Sequence, residues 1–301
     1  MRNVLRSNHE DSYIFHLFQI LRTTQILLRN VAKVVFEATI LLFQAKITTF
    51  AADLQTDTMG QKALYNFSVL TENVDLTLHA TIESLCANMF AVAGMDARKN
   101  GISADTLMQQ GRSWVLSRMS VEFDRMPEQF ENFDIATWIN PHTSRLLSTR
   151  NFELLDTKGT IFGRGVSQWC VIDFEKRMPV SLEEIEPLID PSYPCDEPSP
   201  CDPPRKVRGI VPTVTRKREV VYSDIDFNRH VNTMRYIRMM LNTLPIEYLT
   251  DNRPLRLDIH FANECKLGQT LTINYEQREN VSMFEIRNDE AVACTAAIEW
   301  R

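Results

Sequence analysis

Tyr222-Ser223-Asp224-Ile225-Asp226-Phe227-Asn228-Arg229-His230-Val231-Asn232-Thr233 stands near the start of the last third of the chain. Asp226, Asn228 and His230 recur at every second residue, so an extended backbone would aim all three side chains the same way. Val231, Met234, Ile237, Leu241 and Leu244 then keep roughly helical spacing and predict an amphipathic helix over 231–244. A carboxylate, an amide and an imidazole are thus gathered where an extended segment runs into a buried helix. That setting suits acyl-transfer or hydrolytic chemistry.

The pattern occurs twice. Asp75-x-Thr77-x-His79 mirrors Asp226-x-Asn228-x-His230, and Leu78, Ile82, Leu85, Met89, Phe90 and Ala93 predict a helix over 76–94. A strand-like run, 63–70, precedes the first copy, and strands at 114–123, 133–139, 148–156 and 161–173 follow its helix. The second copy repeats them at 255–262, 270–276, 282–287 and 291–300, with short hairpins at 156–159 and 288–290. A long helix and an antiparallel meander, given twice, predict an α+β protein of two units whose sheets join edge to edge. The units read as 59–182 and 209–301, with a proline-rich linker over 183–208. The linker begins acidic and gives way to a basic stretch that ends in Arg216, Lys217 and Arg218. That charge is either solvated surface or a dock for an acidic partner.

At 301 residues, with 44% hydrophobic and 24% charged residues, the chain has the balance of a folded protein with a sizeable core. A net charge of -6 gives no global support for nucleic-acid binding. Nine glycines are few, and neither G-x-G-x-x-G nor G-x-x-x-x-G-K-[ST] occurs, so a nucleotide cofactor is not expected. The six cysteines read mostly as buried thiols in a reducing compartment; Cys195 and Cys201 would pair only under oxidation. Without C-x-x-C or H-x-x-x-H, a metal site has no support either. Residues 1–58 are rich in Leu, Ile, Val and Phe, but charges break every apolar run short of the ~20 residues that span a bilayer. They read as an amphipathic membrane-surface segment, a targeting segment, or upstream codons before a natural start at Met59, the last being favoured.

Residues 222–237 resemble the D-x-N-x-H-V-N-N-x-x-Y signature of the acyl-acyl carrier protein thioesterases of plastids and bacteria, with Thr233 in place of the second Asn of the pair. Asn263-Glu264-Cys265-Lys266 looks like that family's downstream E-C pair. Residues 114–127, Thr137-Trp138, 150–156 and 167–173 resemble its first-domain strands, so the likeness runs from about residue 60 to the end. The resemblance implies a tandem (double) hotdog, two long helices each wrapped by antiparallel sheet. It also implies hydrolysis of fatty acyl thioesters on acyl carrier protein, with catalysis in the second unit and the acyl chain in the first. The compartment would be bacterial cytoplasm, or plastid stroma if residues 1–58 are a transit peptide; a homodimer is left open.

The candidate catalytic residues are Asp226, Asn228, His230, Glu264 and Cys265. His230 at a helix mouth would stay neutral and available as a base. Asn228 would cap the helix or donate to an oxygen, and Asp226 would orient a partner or hold a water. Two routes stay open: attack by Cys265 activated by His230, or attack by water activated by Glu264 or Asp226. The second is preferred, because buried thiols are common for packing alone. Asp and Asn before a helix also serve simply as turn and cap residues. Asp75, Thr77 and His79 are not enlisted, since no carboxylate stands downstream at the place of Glu264. Met89, Trp114 and Trp138, with Leu85, Phe90, Val92 and Met95, are candidates for an acyl tunnel, and equally for ordinary core. Given the resemblance, Arg216, Lys217 and Arg218 become candidates for docking the acidic carrier. The rivals are an acyl-CoA thioesterase of the same fold and a non-catalytic acyl-binding module.

Overall fold

The alternating and amphipathic segments become strands and helices in the computed structural model, which describes residues 60–289 and 291–301. The chain divides into Met1–Thr58 and Met59–Arg301. The readings of residues 1–58 as a start artefact, amphipathic segment or targeting segment lie outside the described residues. The first half contains β1 (Ala63–Ser68), α1 (Ile82–Lys99), α2 (Ala104–Met108), β2 (Arg112–Phe123), β3 (Asn132–Ile139), β4 (Ser148–Asp156), β5 (Ile161–Asp173) and β6 (Met178–Val180). The second contains β7 (Val214–Glu219), α3 (Thr233–Leu241), α4 (Ile246–Asp251), β8 (Pro254–Phe261), β9 (Thr270–Arg278), β10 (Val281–Arg287) and β11 (Val292–Trp300).

One antiparallel sheet runs β1-β3-β4-β5-β2-β8-β11-β10-β9-β7, with β6 paired to β5. Read inward from each edge, the two halves have the same strand order. They meet at β2 and β8, in register from Arg118 opposite His260 to Glu122 opposite Arg256. Each half lays its helix over its own five strands: the fold is a tandem hotdog. Leu85, Met89 and Val92 of α1 join Met119, Val121, Phe123, Phe152 and Leu154, while Ile237 and Met240 of α3 join Leu257, Ile259, Phe284, Ile286 and Ile298. Each such side chain contributes about 1.5–3 kcal/mol by leaving water. No helix among the described residues is long and apolar enough to cross a membrane.

The helices begin later than the periodicity predicts. α1 starts at Ile82, where the Thr81 side chain accepts from Ser84 N, and runs on to Lys99. Leu78, expected on its buried face, is exposed at φ 60°. α3 starts at Thr233, capped by Asn232. Residues 226–230 are correspondingly a tight turn, not an extended run. Asn228 N donates to Asp226 Oδ1 at 2.8 Å, Asp226 N donates to His230 O at 2.9 Å, and Arg229 sits at φ 64°. An aspartate that bonds its own backbone two residues on competes with extended structure, and here it wins. The first copy repeats the turn: Thr77 N donates to Asp75 Oδ1 at 2.8 Å and Asp75 N to His79 O at 2.9 Å.

β7 has no apolar alternation to predict it, because its sequence is mostly charged and mostly exposed, as suits a solvated sheet edge. Residues 183–208 lack periodicity because side chains of the sheet pin much of their backbone. Leu182, Ile185, Ile189 and Tyr193 close a small second core with Ile102, Leu107, Ile139 and Val171. Farther on, Trp138 Nε1 donates to Glu197 O at 3.0 Å, Ser120 Oγ to Asp202 O at 2.8 Å, and Arg205 N to Asp258 Oδ1 at 2.9 Å. All six cysteines are free thiols, Cys195 and Cys201 included.

Candidate active site

A cavity of about 1330 Å³ has Asp226, Asn228, His230 and Glu264 on its wall. The turn before α3 supplies the first three. Glu264 comes from the connection between β8 and β9, three residues past the strand, not from the strand itself. Val231 N donates to Cys265 O at 2.8 Å, and this bond ties the turn to that connection. The tie brings His230 Nε2 to 3.2 Å from Glu264 Oε2. Asn228's amide side chain has no partner among the described residues and faces the same space. Asp226 is half spent, because its Oδ1 holds the turn.

The amides at the start of α3 are nearly all engaged. Val231 N is bound as above, Asn232 N donates to Asp224 O at 2.8 Å, Met234 N to Asn232 Oδ1 at 2.9 Å, and Arg235 N to Asn232 O at 2.9 Å. Thr233 N–H finds no acceptor among the described residues, and Thr233 lines the cavity. A helix start leaves such donors unspent, and they suit developing negative charge.

Cys265 is next to Glu264 in sequence, but its side chain is fully buried and absent from the cavity wall. Its thiol is hydrogen-bonded to the Tyr236 hydroxyl and lies 4.0 Å from Asn288 Nδ2. Burial pushes the thiol above the usual cysteine range, the wrong direction for a thiolate nucleophile. Glu264 takes the cavity and Cys265 the core.

Met89, expected in the tunnel, is likewise core, with its sulfur against the backbone of Gly165. Leu85, Val92 and Trp138 are also buried off the cavity wall, and Met95 is exposed away from it. The face of α1 that lines the cavity runs from Glu83 and Ser84 through Ala87, Phe90, Ala93 and Gly94 to Ala97. Small residues one helical turn apart leave room along a helix, a signal the sequence itself carries. Trp114 does line the cavity, fixed by its Nε1 donating to Ile102 O at 2.8 Å. Arg150 lines it too, held by buried Asp96 at 2.7 Å and the Tyr193 hydroxyl at 2.5 Å.

The basic triplet lies on β7, away from the cavity wall. Arg218 Nη2 donates to both oxygens of buried Asp224, at 2.8 and 2.9 Å, and this holds the turn before α3. That leaves Arg216 and Lys217 as outward charges. Arg177, which no motif singled out, lines the cavity from the turn between β5 and β6 and reaches Glu264 Oε2 at 3.0 Å. In the first copy, Ala80 N donates to Pro127 O at 2.8 Å as Val231 N does to Cys265 O. Buried Met126 therefore takes the place of Glu264, and Asp75, Thr77 and His79 are off the cavity wall.

The acyl-ACP thioesterase N-terminal domain model matches residues 60–186, and the acyl-ACP thioesterase C-terminal domain model matches residues 213–301. An acyl-ACP thioesterase structure from Bacteroides thetaiotaomicron is 31% identical, with a TM-score of 0.72, covering 80% of this chain and 98% of that one. The 12:0-ACP thioesterase of Umbellularia californica, 17% identical, shares the fold, with a TM-score of 0.71 over 80% of this chain and 97% of its own. The chloroplastic palmitoyl-acyl carrier protein thioesterase of Gossypium hirsutum is 23% identical over 259 residues, covering 78% of this chain; the match spans 63% of the cotton protein's length. By its two matched domains and its likeness to the bacterial structure, this chain belongs to the acyl-ACP thioesterase family.

Proposed function

We propose that this protein hydrolyses fatty acyl-acyl carrier protein thioesters to free fatty acid and holo-carrier protein, with Glu264 as the base that activates water. The observation that carries the reading is the 3.2 Å approach of His230 Nε2 to Glu264 Oε2 on the wall of a large cavity. His230 N–H donates to Glu264 and fixes its carboxylate. Water attacks the acyl carbonyl as Glu264 takes its proton. The oxyanion is met by the Asn228 amide and the Thr233 N–H. The tetrahedral intermediate collapses, the C–S bond breaks, and the thiolate leaves with the proton returned from Glu264. Cys265 has no part in this route. The acyl chain lies beside Phe90, Ala93, Gly94 and Trp114.

Carrier protein is favoured over coenzyme A by the relatives' names and by Arg216 and Lys217, outward cations that complement an acidic partner. A compartment that holds the carrier, bacterial cytoplasm or plastid stroma, goes with that substrate. Thiol release from a panel of carrier-bound and CoA-bound acyl chains, measured on the full chain, tests the reading. Carrier-bound substrates are expected to turn over with the higher kcat/KM. Preference for CoA would favour an acyl-CoA thioesterase, and no thiol release from either would leave a binding module. Arg216→Glu with Lys217→Glu should raise KM for carrier-bound substrate and spare small thioesters; equal effects on both would refute docking there.

A further inference from the structure

We infer that Arg177, contributed by the half opposite to the catalytic turn, is the residue that positions Glu264 for attack; this rests on the proposed hydrolytic role of Glu264. Arg177 Nη2 lies 3.0 Å from Glu264 Oε2, the same oxygen that His230 Nε2 approaches at 3.2 Å. Both donors gather on one oxygen, and Oε1 has no partner among the described residues. The carboxylate is thereby oriented with one oxygen held and the other open to water. Glu264 needs such a tether. It lies in an irregular connection, its side chain is 41% exposed, and an unheld glutamate keeps rotamer freedom worth roughly 1.5–2 kcal/mol.

The turn that presents Arg177 is closed by Asp173 and leaves the arginine side chain out of the core. Asp173 Oδ1 accepts from Glu175 N at 3.0 Å and Lys176 N at 2.9 Å, and Arg177 N donates to Asp173 O at 2.9 Å. Arg177 itself sits at φ 55°, where a residue with a Cβ costs roughly 1–2 kcal/mol and glycine costs nothing. Its side chain is 68% exposed, so no core contact accounts for an arginine there. What the residue does have is one ion pair, across the seam between the halves, to the proposed base.

The experiment measures kcat and KM of the full chain with a small acyl-pantetheine thioester and with acyl carrier protein substrate. Arg177→Ala is expected to lower kcat about 10- to 100-fold for both substrates with KM within about twofold, since a misplacement near 1 Å costs on this order. Arg177→Lys should recover part of the loss. In a double-mutant cycle with Glu264→Asp, the two losses should fail to multiply, because both act through one carboxylate. Multiplicative losses, an unchanged kcat, or a KM effect confined to carrier-bound substrate would overturn the inference, the last marking a docking cation instead. Glu264→Gln distinguishes the levels: if it retains kcat, the hydrolytic reading itself fails. If it loses kcat while Arg177→Ala does not, only the positioning role fails.

Discussion

Replacing Glu264 with glutamine keeps the side chain's length and leaves His230 Nε2 an oxygen to face, while removing charge and basicity. A positioned general base contributes ~10² to 10⁴-fold. At 1.36 kcal/mol per tenfold, the barrier should rise by about 2.7 to 5.4 kcal/mol. Folding should hardly notice. Glu264 is 41% exposed, its partner Arg177 is 68% exposed, and its other partner is a histidine. Exposed pairs of this kind are worth about 0–1 kcal/mol, a shift of a few degrees at most in Tm for a unit of this size. Thiol release from acyl carrier protein substrate gives kcat and KM, and a thermal melt gives Tm. The expected result is a kcat lower by two to four orders of magnitude, KM within about twofold and Tm nearly unchanged. Activity within threefold of the parent would refute the base assignment. A collapse of Tm would refute the description of Glu264 as an exposed carboxylate without a structural role.

Cys265→Ser should keep kcat within about threefold, because the buried hydroxyl can still serve Tyr236 and Asn288; a loss of 10²-fold or more would restore the covalent route. Burial pushes the Cys265 thiol up, so its thiolate is scarcer at neutral pH than that of a free cysteine and grows only as pH rises. Iodoacetamide at neutral pH should therefore leave activity intact. Gly94 lines the cavity, and a Cβ there would meet nothing within 4 Å. Gly94→Phe should fold as well as the parent, helped by the removal of a helical glycine, and should lower kcat/KM for long acyl chains more than for short ones; equal effects would place the chain elsewhere. Arg150→Met leaves the Asp96 carboxylate, which is 2% exposed, with the Tyr193 hydroxyl but without its cation. Urea unfolding should show a loss of about 3–5 kcal/mol, and unchanged stability would refute the pairing.

The duplicated pattern was legible because its parts are local. Period-two strands, a helix behind each D-x-[TN]-x-H run, and hairpin residues at matching places answer to short-range sterics and burial, and the two halves share one strand order. Where two local rules competed, periodicity misled. Leu78 fits the helical face, but the Asx turn at Asp75 and the Thr81 cap delay α1. The edge strand β7 carries no apolar period because solvent takes most of its surface.

The sequence alone determined which residue types were on hand for the chemistry: Asp226, Asn228, His230 and Glu264, in order and at their spacing. The tertiary structure decided which of them meet. Glu264 and Cys265 are neighbours in the chain, yet one faces the cavity and the other the core, since side-chain direction in a loop is set by what packs around it. Met89 and Phe90 divide between core and cavity in the same way. Arg177 reaches Glu264 only because β2 and β8 join the halves into one sheet, and no short-range rule carries information across that seam.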